Sequence, residues 1–104
     1  MITEIVFIDL PTGITRADAL SLYRKTAAER WVSNPDLIEK YYFFDEETHL
    51  GGGIYIWPNR EAAQRWHGND YVAMVEATYG SPPRFQILEA LIHVDPAYGK
   101  IKEF

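Results

Sequence analysis

Two segments of this chain are apolar on both of their faces. Residues 2–10 place Ile5 and Phe7 on one side of an extended strand and Val6, Ile8 and Leu10 on the other. Residues 84–95 do the same, with Leu88, Ala90, Ile92 and Val94 opposed to Phe85, Ile87 and Leu91. A sheet covered on one face alternates apolar with polar residues, so both faces of these strands require cover. At 104 residues the chain has the length of one domain and no spare element for a second layer. A second copy of the sheet is the simplest cover, and the pattern therefore predicts a homodimer packed sheet against sheet.

The order of elements points the same way. A capping-box-like start at Thr15 and Asp18 opens a helix that runs to about Val32, with Leu20, Tyr23, Ala27 and Trp31 on one stripe, and Asn34-Pro35 closes it. Residues 37–44 and 49–57 read as a hairpin around the acidic turn Asp45-Glu46-Glu47-Thr48. Asn59 caps a second helix that carries Ala62, Ala63 and Trp66 and ends at Gly68; Asp70 caps a further helical piece; residues 84–95 form the last strand. The sum is a βαββαβ order, which predicts an α+β, ferredoxin-like fold with an antiparallel sheet and its helices on one face. The domain is expected over residues 1–95, with 96–104 as a C-terminal tail, an extended arm bearing Tyr98, Ile101 and Phe104.

Composition excludes several function classes. There is no cysteine, so a disulfide scaffold, a thiolate metal site and a Cys nucleophile are ruled out. The net charge is −5 and the ten Lys and Arg residues are scattered, which argues against nucleic acid and against an anionic membrane. No apolar run approaches the roughly 20 residues needed to cross a bilayer. The start Met-Ile-Thr-Glu lacks a basic region, and a cytoplasmic location is the default expectation.

Residues that could carry chemistry concentrate around the third strand. Gly51, Gly52 and Gly53 precede Ile54-Tyr55-Ile56-Trp57. Three glycines in a strand mark either a bulge after the turn or a place where a ligand or a helix approaches the sheet. The run lacks the ending of a phosphate loop. Alternation puts His49, Tyr55 and Trp57 on one face, and in the last strand Glu89, His93 and Asp95 oppose the aliphatic row. His, Tyr, Trp and Glu beside glycine gaps describe either a pocket lining or satisfied polar groups at the edge of a core. His49, His67 and His93 form no metal motif, so no metal is expected; they and Glu89 are candidates for acid–base work. Trp66 is either a helix anchor or a stacking surface.

The segment Gly52–Trp57 followed at once by Asn59-Arg60-Glu61-Ala62-Ala63, preceded by the acidic turn at 45–48 and followed by an apolar final strand, resembles the YdhR-type monooxygenases of the dimeric α+β barrel group, which includes the antibiotic-biosynthesis monooxygenases. The resemblance spans residues 1–95. It implies a dimer whose sheets form a barrel, a pocket between sheet and helices, and oxygenation of phenolic compounds without metal, flavin or other cofactor. Such a reaction needs an electron-rich substrate anion, a base and an oxyanion donor. The expected base is His93, His67 or Glu89, and the expected substrate-binding groups are Tyr55, Trp57, Trp66, Gly52, Gly53 and His49. The alternative is a non-catalytic dimeric module for a hydrophobic small molecule or a protein partner. A third reading, a haem-binding or haem-degrading protein, needs a histidine facing an open cavity.

Overall fold

A computed structural model describes all 104 residues. The core strand β1 (Ile2–Asp9) lies between β3 (Leu50–Trp57) and β4 (Arg84–Glu89), and β2 (Glu39–Asp45) flanks β3, so the sheet order is β2-β3-β1-β4 with every pairing antiparallel. This is the ferredoxin-like arrangement that the element order predicts. Alternation along β1 decides the layers: Ile2, Val6 and Ile8 are buried beneath the helices together with Glu4, while Thr3, Ile5 and Phe7 point to the other face. The open face also carries Ile54 and Ile56 of β3 and the exposed Tyr41 and Leu88. Both faces are apolar, as the strand pattern requires.

The helical layer comprises α1 (Arg16–Thr26), α2 (Arg60–Trp66) and α3 (Asn69–Tyr79). At the head of α1, Thr15 Oγ1 accepts from the Asp18 amide and Asp18 accepts from the Thr15 amide, a reciprocal capping box. Asn59 caps α2 by accepting from the Ala62 amide at 2.9 Å. Gly68, expected as the C-cap of α2, is instead the N-cap of α3.

Two elements differ from the sequence reading. The first helix does not continue as an α-helix to Val32. Residues Ala27–Trp31 form one π-helical turn, closed by the Val32 amide donating to the Ala27 carbonyl at 2.9 Å. The wider turn shifts the register of the stripe and lays Trp31, buried, over the sheet. The last strand is also not continuous. β4 ends at Glu89, and Ile92–Asp95 form β5, which pairs with β6 (Lys100–Glu103) as a separate two-stranded hairpin. The turn that returns the chain is Pro96–Gly99, with Gly99 at φ +60° and its amide donating to the Pro96 carbonyl at 3.2 Å. Residues 100–103 are thus a strand, not an extended arm.

The glycine run is not a bulge. The β1–β3 register steps without interruption from Ile2 opposite Trp57 to Asp9 opposite Leu50. Gly52 has φ +144°, and a Cβ there would stand 1.8 Å from the Val6 carbonyl oxygen. At Gly53 a Cβ would press on Lys40 Cε and Tyr55 Cε1, both at 3.0 Å. At Gly51 a Cβ would strike the Tyr23 hydroxyl of α1, so there the missing side chain lets a helix residue approach the sheet.

Candidate active site

Between the sheet and the helices lies a cavity of about 190 Å3. Its floor is Gly52, Gly53 and Tyr55 of β3 with Lys40 and Tyr42 of β2; its walls are Tyr23 and Thr26 of α1, Arg30 and Trp31 of the π turn, and Tyr71, Val75 and Tyr79 of α3. The exposed side chains of Lys25, Glu29 and Thr78 ring its mouth. An apolar cavity of about 150 Å3 accepts benzene, so this volume suits one aromatic ring with small substituents.

The walls are held by hydroxyl contacts. Tyr23 donates to the Phe43 carbonyl at 3.1 Å and accepts from the Gly52 amide at 3.1 Å, which ties α1 to both strands of the hairpin. Tyr42 stacks on Tyr23 with ring centroids 4.4 Å apart, and its hydroxyl meets Thr26 Oγ1 at 2.6 Å. Burial pushes Tyr23 and Tyr71 up to about 12 and Tyr55 well above its ordinary value, so these phenols stay protonated donors at neutral pH.

Two basic side chains, Lys40 and Arg30, reach this aromatic box. Lys40 Nζ lies 3.6 Å from the Tyr42 ring centroid and 4.4 Å from those of Trp31 and Tyr55. It has no carboxylate partner; the ion pairs of the chain are Arg65–Asp36, His67–Glu4 and Arg84–Asp9. Burial, and secondarily the charge of Arg30, push Lys40 down from 10.5 to about 6, so at pH 7 it is mainly a free amine. Arg30 spreads its guanidinium over Trp31 and Tyr71, at 4.9 and 5.3 Å, and Nη2 donates to the Trp66 carbonyl at 3.1 Å. Its Nε is buried and has no partner within the protein.

A second polar cluster backs the cavity. Glu4, 2% exposed, accepts through Oε1 from Trp57 Nε1 at 2.9 Å and is hydrogen-bonded to His67 Nδ1. With Nδ1 donating to the carboxylate, His67 Nε2 keeps its lone pair and meets no protein donor. Burial lowers the His67 pKa, and the Glu4 hydrogen bond opposes that shift without reversing it, so the imidazole is neutral at pH 7. Its ring packs against Tyr55 and Tyr71, with centroids 4.4 and 4.3 Å away.

The structure distributes the sequence candidates unevenly. Gly52, Gly53 and Tyr55 line the cavity. Trp57 is fully buried behind it and spends its indole N–H on Glu4, so it offers no stacking face. His67 lies behind Tyr55 and Tyr71 rather than on the wall. Trp66 sits at the end of α2, where Nε1 donates to Asp36 at 2.8 Å; it anchors the loop before β2 and does not reach the cavity. His49 is not in β3 but in the turn before it, at φ +58°. Glu89 is exposed at the end of β4. His93 is on the β5–β6 hairpin, in a groove with Thr3, Ile56 and Phe104 on the opposite side of the sheet. Neither lines the cavity: Glu89 is exposed at the edge of the sheet beside Ile2, and the break after β4 places His93 on the hairpin. No histidine lines the cavity, and no group of three His, Asp or Glu side chains is arranged to hold a metal ion.

Lys40, Arg30, Tyr42, Trp31 and Tyr71 complete the site and were not among those candidates. One signal was available: Lys40 alternates with Tyr42 and Phe44 on the inward face of β2, as Glu4 alternates with Ile2 and Val6 on β1. A charge at an inward strand position is costly unless paired or used.

No protein-family model matches the sequence, and no curated protein does. Solved structures do. The crystal structure of an antibiotic biosynthesis monooxygenase superposes with a TM-score of 0.63 at 20% identity, covering 88% of this chain and 99% of that one. The chain has the fold of the antibiotic biosynthesis monooxygenases. A protein from Caulobacter crescentus described as a "putative antibiotic biosynthesis monooxygenase" gives the same TM-score at 16% identity, over 86% of this chain and 89% of its own. The α+β, ferredoxin-like fold expected from the element order is the one found, and no helix is long and apolar enough to cross a membrane.

Proposed function

We propose that the chain is a cofactor-independent monooxygenase for a small aromatic or polyketide-like phenol, bound in the cavity between sheet and helices. One observation carries this reading: a one-ring aromatic box holds an unpaired amine that is free at neutral pH. Lys40 Nζ accepts a proton from the substrate, and the resulting anion transfers electrons to O2. Loss of water from the hydroperoxide leaves one oxygen on the ring carbon as a carbonyl; the other departs in water with the one hydrogen of that carbon and the proton that Lys40 took from the phenol and returns to the peroxide. Arg30 and the phenols of Tyr55 and Tyr71 are the donors for the developing oxyanion. His67, fixed by Glu4, positions the Tyr55 and Tyr71 rings. The fold shared with the two monooxygenases supports the same class of reaction.

The partner in this reading is a second copy, seated on the open face through Ile5, Ile54, Ile56 and Leu88. A non-catalytic binding module would use the same cavity without turnover. Oxygen uptake is therefore measured with phenols of one to three fused rings, beside binding followed by tryptophan fluorescence. Uptake should be fastest for the smallest ring systems and should fall ~10²-fold or more in Lys40→Met. Saturable quenching with no uptake for any phenol would overturn the oxygenase and leave the binding module.

A further inference from the structure

Proton acceptance does not exhaust what Lys40 can do. An amine enclosed by the Trp31, Tyr42 and Tyr55 rings, with no carboxylate to pair with, is a nucleophile as well as a base. The charged and titratable groups around it are Arg30 and Glu29 from the π turn, Lys25 and Tyr23 from α1, Tyr42 beside it, Tyr55 on β3, Tyr71 and Tyr79 on α3, and His67 behind the wall. Glu29 is exposed at the mouth and is not ion-paired to Lys40.

We propose that Lys40 captures a one-ring aromatic aldehyde or ketone as an imine in this cavity. The Nζ lone pair adds to the carbonyl carbon, and the carbonyl oxygen takes up a proton to give a carbinolamine. That hydroxyl leaves as water, the second hydrogen of the amine departs as a proton, and the C=N bond forms; nothing is oxidised or reduced. The Tyr42 ring lies against Lys40, and its hydroxyl, bonded to Thr26, is able to pass protons in both directions. The volume sets the ligand class: one substituted ring fits, and the stem of Lys40 over Gly53 brings the amine to its edge.

This goes beyond the oxygenase reading and stands without it, because imine formation consumes no oxygen. Wild-type protein is incubated with benzaldehyde and sodium cyanoborohydride at pH 7 without oxygen, digested, and mapped by mass spectrometry. With the Lys40 pKa near 6 against 10.5 for an ordinary lysine, Lys40 should gain its benzyl group roughly tenfold or more faster than Lys25, Lys100 and Lys102. Benzyl alcohol, a ring of the same size without a carbonyl, should slow labelling at Lys40 and leave the other lysines unchanged. Lowering the pH from 7 to 5 should slow labelling at Lys40 by about tenfold as the amine protonates. Labelling of Lys40 no faster than that of the exposed lysines, or unaffected by benzyl alcohol, would overturn the assignment. Labelling without oxygen uptake keeps the imine chemistry and removes the oxygenase; uptake with an unlabelled Lys40 does the reverse.

Discussion

Replacing Lys40 with Met should make this protein more stable. Lys40 has an ordinary pKa of 10.5 and a folded-state value of about 6. Between these values the unfolded chain binds more protons than the folded one, so the wild-type fold gains stability as pH rises from 6 to 10.5 and loses it as pH falls. Holding the amine neutral at pH 7 costs the fold about 5 kcal/mol at the upper limit, at 1.36 kcal/mol for each pKa unit. Solvent at the exposed part of the side chain reduces this to about 2–4 kcal/mol. Met keeps the volume of the lysine stem under the Tyr42 and Tyr55 rings and carries no charge to desolvate. Urea unfolding at pH 5.5, 7 and 9.5 reads the difference. Lys40→Met should exceed wild type by about 2–4 kcal/mol at pH 7, a Tm rise of roughly 10 °C or more. The excess should be largest at pH 5.5 and shrink towards pH 9.5, by no more than about 1.4 kcal/mol for each pH unit. A variant less stable than wild type at pH 7, or a difference flat with pH, would refute the buried free amine and the chemistry built on it.

Other perturbations test the frame that holds the site. Gly52→Ala should cost about 3 kcal/mol or more by urea titration, because its Cβ would collide with the Val6 carbonyl of the neighbouring strand. Sedimentation at micromolar concentration should give a mass near twice 12.0 kDa; a stable monomer would remove the second copy from the open face. Deleting residues 97–104 removes β6 and leaves β5 without its only pairing strand, so thermal stability or association should fall; no change in either would make the hairpin an independent appendage. Trp57→Ala should lower stability by about 3–5 kcal/mol, since the indole is fully buried and bonded to Glu4, and a ligand-affinity change without that loss would contradict its place behind the wall.

The fold was legible where periodicity and caps agree. β1 shows its two faces in Ile5 and Phe7 against Val6 and Ile8, Thr15 and Asp18 announce α1, and Asn59 announces α2. The π turn was not legible, because Tyr23, Ala27 and Trp31 keep a spacing compatible with an ordinary helix, and the extra residue per turn comes from packing Trp31 against Tyr55 and Trp57. The break after Glu89 was hidden for a similar reason. Residues 87–94 are almost continuously apolar, so composition gives no boundary, and the strand appears unbroken until Pro96–Gly99 is read as a hairpin turn.

The site was partly legible, and its legible part was the absence of side chains. Gly52 and Gly53 mark the floor of the cavity because residues there would strike Val6 and Lys40. Histidines and tryptophans, chosen for their chemical versatility, proved a poorer guide than charge in an inward strand position. Trp57 and His67 satisfy Glu4, whereas His49 and His93 lie in a turn and on the hairpin. Desolvating a carboxylate or an ammonium costs several kcal/mol, more than folding of a chain this size leaves to spare unless the group is paired. Glu4 is paired with His67 and Trp57. Lys40 meets only aromatic faces and the Arg30 cation, and it reaches a cavity of one ring's volume. A buried amine left unpaired beside a space of that size is a departure from the rules that stabilise the rest of the core, and such departures concentrate where a protein does its chemistry.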